Sequence, residues 1–435
     1  MSDANYRERY ARAIAPSTMC DYLPTVNRAK GAMLWDAHGR EYVDFTSQVG
    51  IANIGYSHPL WMEATAKIAE QLSCMLANDE HYCVTIPVDG EQWEISPARL
   101  AELLIEITPG VGEKRVVFEV SGATAVNAAL KLLLLARPDR KKFLCFANSF
   151  HGRHGAALEL TRSPSVHREW YPRTELDVLT IPFSTSCRPV DPESVFGCLR
   201  IVNALIGELI AAEGGGIQPA SRIGMKELVR HLCSEGVAFA CDEVQTGIGR
   251  TGEWFAAQAY GIDPDVLIVG KALGGGLPLS AVVFKEKLLE QLPGKTLPQS
   301  WHSGTMPAAP LAVAGAIATI EIIRREKLLE HCRDVIQSTL ALELLKLHHS
   351  YKNVVVKVRG MGAMWGIEIR TPELRYGILR AAVEEGLLLI GAGPPNKPTI
   401  RIMPPLVISR RELARGLQAL DEAVGSVSRK FARDP

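Results

Sequence analysis

Lys271 follows the apolar run DVLIV (265–269) and is flanked by Gly270 and the triplet Gly274-Gly275-Gly276. Most lysines are solvated surface residues. A lysine desolvated at the end of a buried strand has a lowered pKa and can form a Schiff base with a carbonyl. Asp242 ends a second apolar run, VAFAC (237–241). A buried carboxylate is costly unless a cation pairs with it. That cation could be a structural partner or the protonated nitrogen of a pyridine ring. After RVVFEV (115–120) comes Ser121-Gly122-Ala123-Thr124, a small-residue turn opening a helical stretch. Backbone N–H groups and the dipole at such a turn suit a phosphate, although a plain capped turn has the same composition. After KFLCF (142–146) comes Phe150-His151-Gly152-Arg153. The aromatic could stack on a planar ring or could simply be core, and His151 could be an ordinary loop histidine. Glu208 closes VNALIGEL (202–209), and Glu213-Gly214-Gly215 follows five residues later. Each acid could face a crevice or be solvated.

Taken together, these features match the needs of one cofactor. Pyridoxal phosphate requires a lysine for its aldehyde, an acid for its ring nitrogen, a phosphate cradle and a ring stacker. All four follow strands.

The elements that must position them are legible in the pattern. From residue 115, seven β-branched or apolar runs alternate with helical stretches such as 124–136 and 222–235. Near-continuous apolar strands between helices imply a mostly parallel, seven-stranded sheet covered on both faces. Ligands in such sheets sit outside the carboxyl ends of the strands. Before this region, Ala32–Phe45 reads as a hairpin, Leu60–Leu76 and Pro97–Ile107 as helices, and 84–96 as a polar surface insertion. After it come a helix over Ala312–Leu345, strands at VVVKVRG and AMWGIEI, a helix at Leu374–Glu385, then LLLIG, TIRIM and a final helix. The expected organisation is an N-terminal segment, 1–60, belonging to a small domain; a large cofactor-binding α/β domain, 61–320; and a C-terminal α+β domain, 321–435.

Composition narrows the function classes. The chain of 435 residues carries 48 Lys+Arg and 48 Asp+Glu, so its formal charge is zero. That disfavours nucleic-acid and membrane-surface binding. Nine cysteines, an odd number with no Cys-x-x-Cys pair, suggest neither a disulfide framework nor a thiolate metal site. A reducing compartment is expected, with no metal. MSDANYRERYARAI is polar and unlike a secretion signal, and no apolar stretch is long enough to span a bilayer, so a cytoplasmic location is expected.

At this point the sequence resembles the class III (ω-amino-acid) aminotransferases of the fold-type I pyridoxal-phosphate enzymes. The resemblance runs from GAMLWDAHGREYVDF and GYSHP through SGATAVNAALKLLL, SFHGR, DEVQTGIGRTG and GKALGGGLPLSA to RGMGAMWGIEI and TIRIMPPLVIS. Lys271 follows Asp242 by 29 positions (271 − 242), a highly specific spacing. The resemblance implies that Lys271 carries the Schiff base and shuttles the proton, and that Asp242 keeps the ring nitrogen protonated. Gln245 matches the residue beside the ring hydroxyl. Gly122 and Ala123 match the phosphate turn, Phe150 the stacked aromatic with His151 beside it, and Thr305 a threonine reaching the phosphate of a neighbouring subunit. A homodimer with interfacial sites follows from that last match.

On the substrate side, Arg401 resembles the arginine that grips the α-carboxylate of glutamate or 2-oxoglutarate, a task for a planar bidentate fork. Arg153 resembles the arginine for the distal carboxylate. Glu208 resembles the acid that pairs with Arg401 when a substrate lacks an α-carboxylate. The implied reaction moves an amino group between glutamate/2-oxoglutarate and an ω-amino acid or amine. A racemase, decarboxylase or aminomutase of the same fold is the alternative. Departures from the family pattern point to a specialised substrate. Glu208-Leu209 replaces Glu-Pro, Met306-Pro307-Ala308-Ala309 replaces Gly-Gly-Asn-Pro, and Tyr56 replaces His. Val49 replaces the tyrosine of ornithine-specific members. The 84–96 insertion, with Trp93, falls where relatives shape the substrate entrance.

Overall fold

The computed structural model describes residues 3–15, 21–72, 81–163, 168, 176–183, 199–290 and 292–433. Its centre is a seven-stranded sheet made from the seven apolar runs. In chain order these are β1 (Lys114–Glu119), β2 (Lys142–Phe146), β3 (Asp177–Ile181), β4 (Val202–Gly207), β5 (Ala238–Asp242), β6 (Val266–Val269) and β7 (Ser280–Lys285). The spatial order is β1-β7-β6-β5-β4-β2-β3. Only β7 opposes the rest, pairing antiparallel with β6 and β1. Every residue of β4, β5, β6 and β7 is buried.

Both faces are covered, and the alternation of strand side chains decides which residue meets which cover. Phe143 and Cys145 of β2 join the core under the helix Gly122–Ala136. Leu144 and Phe146, one step out of phase, join the core under the helix Arg222–Ser234. This is why the sequence shows unbroken apolar runs rather than alternation.

A second, antiparallel sheet follows in the order Val355–Met361, Met364–Ile369, Thr399–Ile402, Ile390–Ala392. The N-terminal strands Val26–Lys30, Met33–Asp36 and Glu41–Asp44 form a third sheet, completed by Leu387–Leu388, which pairs parallel with Glu41–Asp44. The two ends of the chain are therefore stitched into one layer. Phe45 N–H···O of Leu388 and Met403 N–H···O of Phe45 extend the contact toward the Arg401 strand.

Three sequence expectations are corrected. Residues 84–96 are not a surface insertion. They form a hairpin, Val84–Val88 with Glu91–Ile95, turning at Asp89-Gly90, both at positive φ as a tight two-residue hairpin turn requires. Its inner face, Ile86, Val88, Trp93 and Ile95, is buried in the main core. Polar residues mark only the outer face. The helix expected over 312–345 is broken. Pro310–Arg325 ends where Lys327 adopts a left-handed φ of 52°, and Leu328–His331, a π-turn Cys332–Gln337 and Ser338–Ser350 follow. Neither Gly nor Pro marks that break. The helix expected over 60–76 is Pro59–Gln71, and 73–76 lie outside the described residues.

Candidate active site

A cavity of about 260 Å³ opens at the carboxyl ends of the parallel strands. Its walls gather Gly122 and Ala123 after β1, Phe150, His151 and Arg153 after β2, and Glu208 after β4. Asp242 and Gln245 come from β5, and Lys271 follows β6. Residues spread over 150 positions of sequence are thus assembled by one sheet edge (271 − 121 = 150, Ser121 being the first).

Lys271 opens a short 3-10 turn with φ at 45°, a conformation rare for a residue with a side chain. Burial lowers its ammonium to about 8. The carboxylates of Glu213, Asp242 and Glu208 pull upward and Arg401 pushes further down. The amine is thereby available as a nucleophile near neutral pH.

Asp242 is buried at the last position of β5. Its Oδ2 lies 2.7 Å from Nδ1 of His151, and its Oδ1 accepts the Val244 N–H at 3.1 Å. His151 is itself buried, and its backbone N–H donates to Thr161 Oγ1 at 3.0 Å. The loop histidine and the strand-end acid thus belong to one unit.

The phosphate turn is built on a reciprocal cap. Ser121 Oγ accepts the Thr124 N–H at 3.2 Å, and Thr124 Oγ1 accepts the Ser121 N–H at 3.1 Å. Close approach explains the glycines. A Cβ on Gly122 would stand 2.8 Å from Val244 Cγ1, and one on Gly152, at φ 130°, 2.6 Å from Ala123 Cβ.

Glu208 is buried and pushed up to about 7, chiefly by desolvation. Its Oε2 accepts the Phe150 N–H at 3.0 Å. It is not paired with Arg401 here, whose guanidinium meets Glu213 instead. Past Leu209 the chain turns through a small hairpin, Ile210–Ala211 against Gln218–Pro219, whose tip carries Glu213. Glu213 Oε2 lies 2.7 Å from Arg401 Nη2. Burial alone would raise Glu213, but the guanidinium overcomes it and holds the acid below its usual value. Glu213 lines the cavity, whereas Arg401, 1 % exposed, lies behind it. The sequence signal for Glu213 was the Glu-Gly-Gly triplet. Val244, also on the wall, carried no signal of its own.

Arg153 is exposed, with its guanidinium 5.3 Å from the Phe150 ring centre. Thr305 is exposed and outside the cavity. Val49 is half-buried at φ 65°, also outside the cavity, in a left-handed turn Ser47–Gly50. Its neighbour Gly50 packs against Gln245 and Met403.

The residues fit pyridoxal phosphate. Among the described residues Gln245 Oε1 is buried and has no hydrogen-bond partner, an acceptor available to a ring hydroxyl. Lys271 offers an amine, Asp242 a buried carboxyl group, and the Ser121–Thr124 turn a helix start for a phosphate. Among the described residues no cluster of His, Cys, Asp and Glu could hold a metal ion. None of their helices is long and apolar enough to cross a membrane.

This fold and this site define a pyridoxal-phosphate-dependent transferase built on an α/β sheet. The chain belongs to the class III aminotransferases: the profile of the family described as "Aminotransferase class-III" matches residues 16–424. It is 32% identical to an acetylornithine aminotransferase of Methanosarcina acetivorans, over 92% of this chain and 91% of that one. It is 31% identical to a leucine/methionine racemase of Thermococcus litoralis, over 97% of this chain and 95% of that one. Among solved structures, a transaminase from a marine Virgibacillus superposes with a TM-score of 0.85 at 21% identity, covering 98% of this chain and all (100%) of that one. An ornithine aminotransferase of Toxoplasma gondii gives 0.84 at 23%, covering 99% and 96%. These two likenesses speak to the fold.

Proposed function

We propose that this enzyme moves an amino group between glutamate/2-oxoglutarate and an ω-amino acid or amine. The observation that carries this reading is the buried Arg401, covered by Glu213 at 2.7 Å. With Glu213 in place, the cavity presents no free cation at that point and suits an amine that lacks an α-carboxylate. With Glu213 displaced, the guanidinium fork can take the α-carboxylate of glutamate, and among the described residues its Nε and Nη1 have no other partner. Arg153, exposed at the cavity wall, is suited to the distal carboxylate.

Bound pyridoxal phosphate supplies an aldehyde for amines and a ring that accepts the electron pair left when a bond to the substrate carbon breaks. In this reading Lys271 would hold that aldehyde and would move the proton at the substrate carbon. Asp242, oriented by His151, would face the ring nitrogen and favour its protonated form. Gln245 would bond the ring hydroxyl, Phe150 would lie against the ring, and the turn at Gly122 and Ala123 would hold the phosphate. Val49 takes part in substrate choice. Thr305, exposed outside the cavity, serves the site of a second copy in a homodimer. The division into 1–60, 61–320 and 321–435 and a cytoplasmic location complete the proposal.

The test is to convert the cofactor to its aminated form, add 2-oxoglutarate and follow the absorbance spectrum. Return of the aldehyde-form spectrum, with glutamate appearing, is expected. No return sinks the glutamate assignment. The likeness to a racemase gives a second reading, which needs no keto acid. A single L-amino acid turning into its D-form without 2-oxoglutarate would establish it.

A further inference from the structure

The Glu213 hairpin tip rests on the second sheet, and the register of that sheet explains how it is held. Arg359 pairs with Gly366, and Gly366 pairs with Arg401. Directly opposed residues share a face, so two arginines flank one glycine in a single row. Gly366 keeps the space between them open. A Cβ there would stand 2.7 Å from the carbonyl oxygen of Gly216 and 3.1 Å from Ile217 Cβ. The hairpin tip occupies that space. Arg401 holds its Glu213 end at 2.7 Å. Arg359 Nη2 holds its other end by donating to the Gly216 carbonyl at 2.9 Å.

Arg359 is built into place. It is 7 % exposed, its Nη1 pairs with Glu368 Oε2 at 2.6 Å, and its Nη2 also donates to Thr399 Oγ1 at 3.3 Å. Gly216, at φ 65°, could not carry a side chain, because a Cβ would lie 2.5 Å from Thr399 Oγ1. From the other side, the Gly393 N–H donates to the Glu213 carbonyl at 3.0 Å. Thr399 is two residues from Arg401 on the same strand.

We infer that Arg359, braced by Glu368, is a positioning residue for substrate selection: it clamps the hairpin tip so that Glu213 stands over Arg401. It acts through the backbone of Gly216 and touches neither substrate nor cofactor. A loosened tip leaves Arg401 uncovered. Glutamate then finds its carboxylate site open, whereas an amine without an α-carboxylate meets an unpaired buried cation. The inference rests on the two-substrate reading above.

The experiment uses the holoenzyme and two variants that disturb the clamp differently. Arg359→Met removes the donor fork and keeps much of the volume. Gly366→Ala keeps all charges and pushes on the Gly216 carbonyl. Hydrogen exchange by mass spectrometry reads peptides covering 210–219, and single half-reactions read kcat/KM for glutamate and for a simple ω-amine. Both variants are expected to exchange faster over 210–219 with the central sheet unchanged. The amine-to-glutamate ratio of kcat/KM should fall about tenfold, the scale of one hydrogen bond to a charged group. A ratio unchanged in both variants, or exchange over 210–219 unchanged in both, overturns the inference. A parent enzyme that does not use glutamate defeats the proposed function instead, and the exchange measurement then judges the clamp by itself.

Discussion

His151 Nδ1 stands 2.7 Å from Asp242 Oδ2, and the two side chains are buried together. A loop after β2 therefore orients the acid that ends β5. The remaining Asp242 oxygen is fixed by the Val244 N–H. A carboxylate with two fixed donors has one geometry to offer a ring nitrogen. Removing the charge and removing the brace should differ in size. Asp242→Asn is expected to lower kcat by about 100-fold or more. His151→Leu should lower it by about tenfold, the value of one charge-assisted hydrogen bond. Steady-state kinetics at saturating cofactor checks both, and a His151→Leu enzyme of parental kcat would refute the brace.

Burial brings Lys271 down to about 8 from its usual 10.5. The folded protein then binds this proton less tightly than the unfolded chain, so stability rises with pH between those two values. Below pH 8 the buried ammonium is a burden. In the cofactor-free protein, Lys271→Met should add on the order of 2 kcal/mol at pH 7 and less at pH 10. Urea unfolding at the two pH values measures this. The same variant should bind pyridoxal phosphate without the absorbance that borohydride removes, and should lose turnover.

Glu208 carries the opposite linkage. Desolvation raises its carboxyl to about 7 from a usual 4.5. The folded state holds the proton more tightly, so the contribution to stability is full below about pH 4.5 and is lost as pH rises through about 7. Glu208→Gln is expected to flatten that part of the stability–pH curve. Thermal unfolding from pH 5 to 8 would reveal it, and an unchanged slope would show that another group titrates there.

Arg401→Gln should raise KM for 2-oxoglutarate by about 100-fold, the loss of a charged bidentate contact. It also removes the charge that keeps Glu213 low. Efficiency toward the amine should then gain an ionisation that the parent lacks, because burial drives the abandoned acid upward. A pH profile of kcat/KM for each substrate separates the two effects.

Trp93 is a core residue of the 84–96 hairpin, and the Arg325 guanidinium covers its ring at 5.2 Å. Trp93→Ala is expected to cost about 3–5 kcal/mol of stability. Denaturant unfolding checks this. A loss below about 1 kcal/mol would return the hairpin to the status of a surface insertion.

Much of the fold was legible because its signal is local. The seven runs that alternate with helical stretches are the seven strands of the central sheet, and the catalytic candidates follow them as the crevice rule for parallel sheets requires. The helix break at Lys327 was not legible, because no Gly or Pro announces the φ of 52° there. The inner face of the 84–96 hairpin was hidden for a related reason. Only four of its residues are buried core hydrophobics, and the polar ones between them dominate the composition.

By itself, the sequence determined the cofactor chemistry. Asp242 ends a strand, Lys271, Gln245 and the Ser121–Thr124 turn follow strands, and strand ends of a parallel sheet converge on one edge whatever the rest of the chain does. The partner of Arg401 was decided only in three dimensions. Glu208 and Glu213 are five residues apart and chemically alike. The first is held on the cavity wall by the Phe150 N–H, while a hairpin tip seated between Arg359 and Arg401 carries the second to the guanidinium. Pairing across sheets depends on register and on the space that Gly366 leaves, and neither is written in the spacing of the acids.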